Sequence, residues 1–169
     1  MTFRIRALHL SDLDAVMHIQ ARCYIDIEPE RREVMASKLA IKGHNCLVIE
    51  GPTGIAGYLI CHPWELNNLP ALDVIQTRIP AGAACFYLHD LAIDPDARGL
   101  RLAQRLVQQA LRDARDQGFS RAALVAIQGS VPFWQTFGFT DHSPQLPWAL
   151  QQRLYDYGAN AAYLAHTDL

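Results

Sequence analysis

The feature that most constrains the fold is the stretch 88–103, where an apolar run ends at Asp94-Pro95 and a helical pattern follows. Residues 86–93 form a short, mostly apolar run typical of a buried strand, and proline interrupts a strand because it has no N–H to donate. Over residues 99–117 apolar side chains recur at helical spacing. They are Leu102, Ala103, Leu106, Val107, Ala110 and Ala114. The stretch therefore predicts a strand, a tight turn and a helix start.

The rest of the chain shows further strand and helix patterns. Strands are predicted over residues 3–7, 46–50, 55–61, 86–93, 121–127 and 161–165. Helices are predicted after Ser11 or Asp12 and over residues 30–42, 99–117, 131–137 and 148–154. Residues 63–82 are expected to form a long loop or a short irregular helix. The early strands follow one another and the later ones are joined by helices, so we expect an α/β (α+β) fold with a mixed sheet.

Length and composition favour one globular domain over residues 1–169. The chain is half hydrophobic and 19% charged, and its net charge is −2. A chain of this size can bury its own core, and a nearly neutral one has no overall field to attract nucleic acid. We therefore expect no nucleic-acid partner, and any polyanionic ligand needs a local basic site.

Targeting and redox signals point to a cytoplasmic chain. Residues 1–13 carry Arg4, Arg6 and Asp12 without a long apolar run, and no stretch approaches the roughly 18 apolar residues of a membrane span. The four cysteines are widely spaced without a CxxC pair, and the histidines show no metal-ligand spacing. We expect no signal peptide, no membrane association, no disulfide framework and no metal.

The predicted helix start is a candidate anion site. A helix N-terminus offers unpaired N–H groups and the positive end of the helix dipole. Arg98, Arg101 and Arg105 are spaced to lie on one face of the first helical turns. Cations there are unfavourable by roughly 0.3–1 kcal/mol each, which a bound phosphate would offset. The alternative is a strand-to-helix turn without a ligand.

These residues resemble the acetyl-CoA motif of the GNAT acetyltransferases. That motif reads Arg/Gln-x-x-Gly-x-Gly/Ala after a Leu-Ala-Val-like triplet and a proline break; here Arg98 and Ala103 match, and Leu91-Ala92-Ile93 stands for the triplet. A second family signature, an aromatic pair followed by Gly-Phe, appears at residues 133–139. The resemblance covers nearly the whole chain and implies a largely antiparallel central sheet flanked by helices.

The resemblance also implies the ligands. It assigns acetyl-CoA as co-substrate and a primary amine as acceptor. The cofactor-binding residues it implies are Leu91, Ala92, Ile93, Arg98, Gly99, Leu100, Arg101, Leu102, Ala103, Gln128, Phe133 and Trp134. Residues 88–93 and 131–139 are especially similar to the arylalkylamine acetyltransferases, in which a histidine at the position of His89 is implicated in deprotonating the amine. This likeness favours a small-molecule amine.

Two positions depart from the family pattern. Arg101 replaces the central glycine that lets the backbone approach phosphate, so its side chain is expected to turn away or onto a phosphate. Trp134 replaces the tyrosine that protonates the leaving thiolate. Because an indole N–H does not give up its proton at a useful pKa, the acid role is not carried over.

Acetyl transfer to an amine requires a base, and His89 with the adjacent Asp90 is the predicted catalytic pair. An ordinary histidine has a pKa near 6.5, suited to accepting a proton at neutral pH. Asp90 faces the other side of a regular strand, but a bulge can change which of the two points into the site. The alternative for His89 is a structural histidine hydrogen-bonded in the strand.

Other candidates surround the predicted acceptor pocket. Tyr24, Tyr58 and Tyr87 are predicted to line it, with ordinary half-buried aromatics as the alternative. Trp134 has core packing as its alternative role. The competing functions are a non-catalytic acyl-CoA-binding module, a protein or peptide N-acetyltransferase, and an interaction domain that forms a homodimer through the apolar tail 159–165.

Overall fold

A central β-sheet organises the computed structural model, which describes residues 1–25 and 27–169. In these residues seven strands pair in the order β1-β2-β3-β4-β5-β7-β6. The strands are β1 Arg4–Ala7, β2 Leu47–Gly51, β3 Gly54–Trp64, β4 Cys85–Ile93, β5 Ala122–Ala126, β6 Thr140–Asp141 and β7 Ala162–His166. All neighbours are antiparallel except β4 and β5, which are parallel. The predicted mixed, largely antiparallel sheet is confirmed.

Helices cover the sheet. They are α1 Leu13–Cys23, α2 Arg32–Leu39, α3 Leu102–Asp116, α4 Val131–Gln135 and α5 Trp148–Leu154. Short 3₁₀ turns occur at Leu10–Asp12, Pro95–Ala97, Ser143–Gln145 and Tyr155–Tyr157. Among the described helices, none has the length and apolar character needed to cross a membrane.

Most predicted elements are present, with shifted ends. The hairpin at residues 51–54 joins β2 to β3 as predicted. The helix predicted over 30–42 is confined to α2, and residues 65–84 form the expected long connection. The pattern missed β6, whose two residues are too few to show a periodicity. The helix predicted from Gly99 begins at Leu102, which bears on the candidate site.

The core lies on both faces of the sheet. On one face α3 buries its predicted stripe, including Leu106 and Ala110, against β2, β3 and β4. On the other face α1 packs Val16 and Ile19 against Tyr58 and its neighbours in β3. Burying a large aliphatic side chain contributes roughly 1.5–3 kcal/mol, so the two layers hold the central strands firmly.

Gly57 fixes the contact between β3 and β4. A Cβ at this position would lie 2.4 Å from Ile93 Cδ1 and 2.9 Å from the Ala92 carbonyl oxygen. Only the absence of a side chain allows the two strands to pair here.

Gly57→Ala is therefore expected to lower the free energy of unfolding by about 1–3 kcal/mol, because the backbone of β4 must move. Urea denaturation followed by circular dichroism measures this change. Gly82→Ala is the matched control, because its Cβ would meet only Glu65 Oε1 at 3.6 Å. Equal stability of the two variants would contradict the close-approach argument.

Candidate active site

The parallel strands β4 and β5 separate after a short shared segment. Their pairing covers only Phe86–Leu88 of β4 against Ala122–Leu124 of β5. Beyond it a cleft of about 290 Å³ opens, with Asp90, Ile93, Val125 and Ile127 among its lining residues. The carboxyl-terminal half of β4 thus forms a wall of the cleft instead of pairing with β5.

A bulge in β4 brings His89 and Asp90 to the same side of the sheet. Ile60 of β3 pairs with Asp90, but the next residue, Cys61, pairs with Leu88, so His89 is the extra residue. Hydrogen bonds of Asp90 to Tyr24 and Tyr58 and of His89 to Glu30 place both side chains on the face covered by α1. Sequence reasoning allowed for a bulge here but not for both residues sharing a face.

Asp90 is a buried carboxylate held by two phenols. Its side chain accepts hydrogen bonds from the hydroxyl of Tyr24 and, at 2.8 Å, from that of Tyr58. Burial raises the pKa of Asp90 to about 6, although both phenols and the charge of His89 oppose the rise. A carboxylate that titrates near pH 6 is suited to accept a proton at neutral pH.

His89 forms a buried pair with Glu30. Its Nε2 lies 2.5 Å from Glu30 Oε1, and the two side chains are 2% and 7% exposed. Burial raises the pKa of Glu30, but the charge and hydrogen bond of His89 prevail and hold it at about 2. The other ring nitrogen, Nδ1, is buried without a hydrogen-bond partner in the described residues. His89 therefore faces a permanent anion and presents no exposed nitrogen to the cleft.

Glu30 also joins the site to two other segments. Its second oxygen accepts a hydrogen bond of 2.9 Å from the Asp73 N–H in the 65–84 connection. With its amide oriented to satisfy both groups, Gln20 of α1 exchanges two 3.1 Å hydrogen bonds with the Glu30 backbone. Sequence reasoning missed Glu30, because it lies 59 residues from His89 in the chain.

Two further buried polar residues, Lys38 of α2 and His62 of β3, lie near the His89–Glu30 pair. Lys38 is fully buried with no partner for its Nζ in the described chain; burial lowers its pKa, and the charges of Glu30 and Asp90 oppose this. The His62 ring is 5.7 Å from that of His89, and burial lowers its pKa to about 3. In the sequence, Lys38 follows Val34 and Met35 at helical spacing, so a lysine on the apolar face of α2 could have been noticed. Lysine is rarely buried unless it is paired.

The candidate cofactor end begins where α3 begins. The helix starts at Leu102, so the prediction that Arg98, Arg101 and Arg105 share its first turns is wrong. Gly99 and Arg101 have positive φ angles of 81° and 57°, which break the helix in front of Leu102. The N–H groups of residues 99–104 make no hydrogen bond within the described chain, as an anion site requires.

The predicted cofactor residues divide into two groups. Those that line the cleft are Leu91, Ala92, Ile93, Arg98, Ala103, Gln128, Phe133 and Trp134. Those outside the lining are Gly99, Leu100, Arg101 and Leu102, of which Leu102 is buried in the core. Of the three arginines predicted to face an anion, Arg98 lines the cleft and Arg101 lies outside the lining. Arg105 donates to the Phe3 carbonyl oxygen at 2.8 Å.

The predicted acceptor tyrosines also divide. Tyr24 lines the cleft, whereas Tyr58 and Tyr87 are 0% and 1% exposed and lie outside the lining. The prediction that Tyr58 and Tyr87 line the acceptor pocket is therefore wrong, because the two packed layers bury them completely. Tyr58 nevertheless reaches the site through its bond to Asp90.

Trp134 combines packing with a place in the cleft wall. It is 6% exposed, and its ring lies edge-on to Phe133 at 5.0 Å and to Phe139 at 5.9 Å. Nearby, Gln128 donates to the Cys23 carbonyl oxygen and accepts from the Ile25 N–H, both at 3.2 Å. The end of α1 is thereby tied across the gap between β4 and β5.

The raised pKa of Asp90 predicts a pH-dependent penalty on stability. The folded chain holds the proton with a pKa of about 6, against an ordinary 3.8, so stability falls as pH rises between these values. Asp90→Asn removes the buried charge and is expected to raise the free energy of unfolding at pH 8 by about 1–3 kcal/mol. The gain should disappear near pH 4. Urea denaturation at pH 8 and pH 4 measures the change in the free energy of unfolding. An equal change at the two pH values would contradict the prediction.

The sequence and the fold have counterparts among known proteins. The chain matches the sequence model of the Acetyltransferase (GNAT) family over residues 13–139, more than half of its length. The glucosamine 6-phosphate N-acetyltransferase of Trypanosoma brucei brucei is 29% identical over 95 residues, which are 55% of this chain and 65% of that protein. The chain thus spans less than two thirds of the length of this curated relative.

Solved structures share the fold at low identity. The ribosomal-protein-S18-alanine N-acetyltransferase of Escherichia coli superposes with a TM-score of 0.71 at 16% identity, over 99% of this chain and 96% of that one. The PaiA N-acetyltransferase of Thermoplasma acidophilum, solved in complex with coenzyme A, gives 0.68 at 13% identity over 99% of both chains. These likenesses confirm the expected fold class. Because the family match covers most of the sheet and the whole of the cleft wall in β4, the chain belongs to the GNAT acetyltransferase family.

Proposed function

We propose that the protein transfers the acetyl group of acetyl-CoA to a primary amine of a small molecule. The observation that carries the proposal is the bulged β4 wall, which places a carboxylate of pKa about 6 beside the cleft between β4 and β5. Family membership supports acetyl-CoA as the co-substrate. Arg98 and the amides at the start of α3 provide the donors that a pyrophosphate needs.

The first chemical requirement is a neutral amine. A lysine-like amine has a pKa of about 10.4, and removing its proton at pH 7 costs roughly 4.6 kcal/mol. Asp90 takes this proton in the proposed mechanism, because His89 has one nitrogen on Glu30 and the other buried. This changes the base from His89, the first choice on sequence grounds, to its neighbour.

The second requirement is the exchange of bonds at the thioester. The neutral amine nitrogen attacks the carbonyl carbon and the C–N bond forms; the nitrogen then releases its extra proton to solvent, and the C–S bond breaks as the sulfur leaves as a thiolate. A thiol of this kind has a pKa of about 8.5, so its thiolate departs near pH 8 without full protonation. The proposal therefore needs no general acid at Trp134.

The test of the base compares two variants over a range of pH. The kcat/KM of the unmodified enzyme is expected to rise through a pKa near 6, the value held by Asp90. Asp90→Asn should lose about 10²–10⁴-fold of rate and this pH dependence. His89→Gln should keep the pH dependence of kcat/KM but shift its midpoint to higher pH, because the charge of His89 lowers the pKa of Asp90.

Thiol release from acetyl-CoA, measured across a panel of primary amines, gives these profiles. If His89→Gln rather than Asp90→Asn removed the pH dependence, His89 would be the base. Tight acetyl-CoA binding without thiol release towards any amine would instead favour a non-catalytic acyl-CoA-binding module.

A separate prediction concerns the cofactor end of the cleft. Arg98→Glu should weaken acetyl-CoA binding by at least about tenfold, because an attractive charge near the phosphates becomes repulsive. Isothermal titration calorimetry measures the dissociation constant. Arg112→Glu is the matched control, since Arg112 is exposed on α3 and lies outside the cleft lining. Equal affinity of the two variants would remove Arg98 from the pyrophosphate site.

A further inference from the structure

The cleft has a second set of lining residues away from the candidate cofactor end. They come from the segment between α1 and α2, from the 65–84 connection and from the 3₁₀ turn after α5. Ile27, Pro29, Leu72 and Tyr157 make this part of the wall largely apolar. An acceptor that reaches Asp90 past these residues must bury apolar surface.

The charges in this part of the wall are negative. Glu28 is exposed and lines the cleft, Glu30 stays ionised with a pKa of about 2, and Asp90 ionises above about pH 6. In the described residues, the lining has two basic side chains, Arg98 and His89. Arg98 lies at the cofactor end, and His89 is already paired with Glu30. An ammonium group is attracted here and an anionic group is repelled.

Arginines near the acceptor segment are engaged elsewhere. Arg31 donates from Nε to Asp73 Oδ2 at 2.8 Å, and Arg32 contacts Asp14 at 2.6 Å. Arg153, next to the turn that carries Tyr157, donates to the Leu69 carbonyl oxygen at 3.0 Å. A phosphate or carboxylate on the acceptor would have to displace one of these partners to gain Arg31, Arg32 or Arg153, and the Lys38 ammonium is fully buried outside the lining.

We infer, resting on the transfer reaction proposed above, that the acceptor is a primary amine on an apolar body that bears no phosphate or carboxylate group. Selectivity arises because an anionic group would be buried beside carboxylates, with no unpaired cation among the described residues of this part of the lining, an arrangement that discriminates strongly. The curated relative named above acts on glucosamine 6-phosphate, so the two proteins are expected to differ in this respect.

Matched pairs of amines test the inference. The pairs are 2-phenylethylamine with phenylalanine, which have an apolar body, and glucosamine with glucosamine 6-phosphate, whose polar body tests the anionic group alone; the members of each pair share an amine and differ by one anionic group. In each pair the member without the anionic group is expected to show at least about tenfold higher kcat/KM in thiol release. In the first pair, calorimetric titration of the CoA-saturated protein should show the same order of affinity.

Charge reversal locates the selectivity. Glu28→Lys should reduce the ratio of the two kcat/KM values within each pair by at least about fivefold, chiefly by raising the kcat/KM of the anionic member. Glu33→Lys is the matched control, because Glu33 is exposed on α2 outside the lining and the change in net charge is equal. An equal effect of the two reversals would overturn the assignment of selectivity to the cleft.

Equal or better use of phenylalanine or glucosamine 6-phosphate would overturn the inference. If no amine released thiol, the proposed function would fail, and the binding order from calorimetry would still decide the acceptor class. Tighter binding of 2-phenylethylamine than of phenylalanine would support the inference in that case, and the reverse order would overturn it.

Discussion

The separation of β4 from β5 after three residue pairs is the constraint on which the rest of the site depends. Strands that part leave backbone groups without partners, and unpaired buried groups destabilise a fold. Here the end of α1 supplies partners: the Tyr24 hydroxyl lies 3.0 Å from the Leu91 carbonyl oxygen and shares its one proton between this oxygen and Asp90, and Cys23 donates to the Ile93 carbonyl oxygen at 3.2 Å. Gln128 then ties the chain after Cys23 to the end of β5. The cleft is therefore held open by the same contacts that position Tyr24 at Asp90.

The two buried carboxyls of the site are driven apart in acidity by their surroundings. Against the effect of burial, the charge and hydrogen bond of His89 hold the pKa of Glu30 at about 2, whereas burial raises the pKa of Asp90 to about 6 against its two phenol donors and the charge of His89. Pairs of acids separated in this way commonly have different tasks in catalysis. Glu30 is suited to remain an anion that orients His89 and the 65–84 connection. Asp90 is suited to exchange a proton.

The sequence located β4, the proline-broken turn and the Gly-Phe segment because each depends on residues close together in the chain. It allowed for a bulge beside His89 but did not place His89 and Asp90 on one face, since that depends on the register of β4 against β3. It also missed Glu30, whose contact with His89 spans 59 residues and follows no periodicity. Tyr58 and Tyr87 were misplaced because alternation along a strand gives the face of a residue but not how deeply packed layers bury it.

At the start of α3, Arg101 adopts a backbone conformation that glycine favours. Arg101 has φ 57° and ψ 28°, the left-handed conformation that costs a residue other than glycine roughly 1–2 kcal/mol. The turn keeps this conformation although Arg101 has a Cβ, and its exposed side chain lies outside the cleft lining. The helix consequently begins at Leu102, and the amides of residues 99–104 stay without partners in the described chain. The surrounding turn thus imposes on Arg101 the backbone conformation that glycine favours.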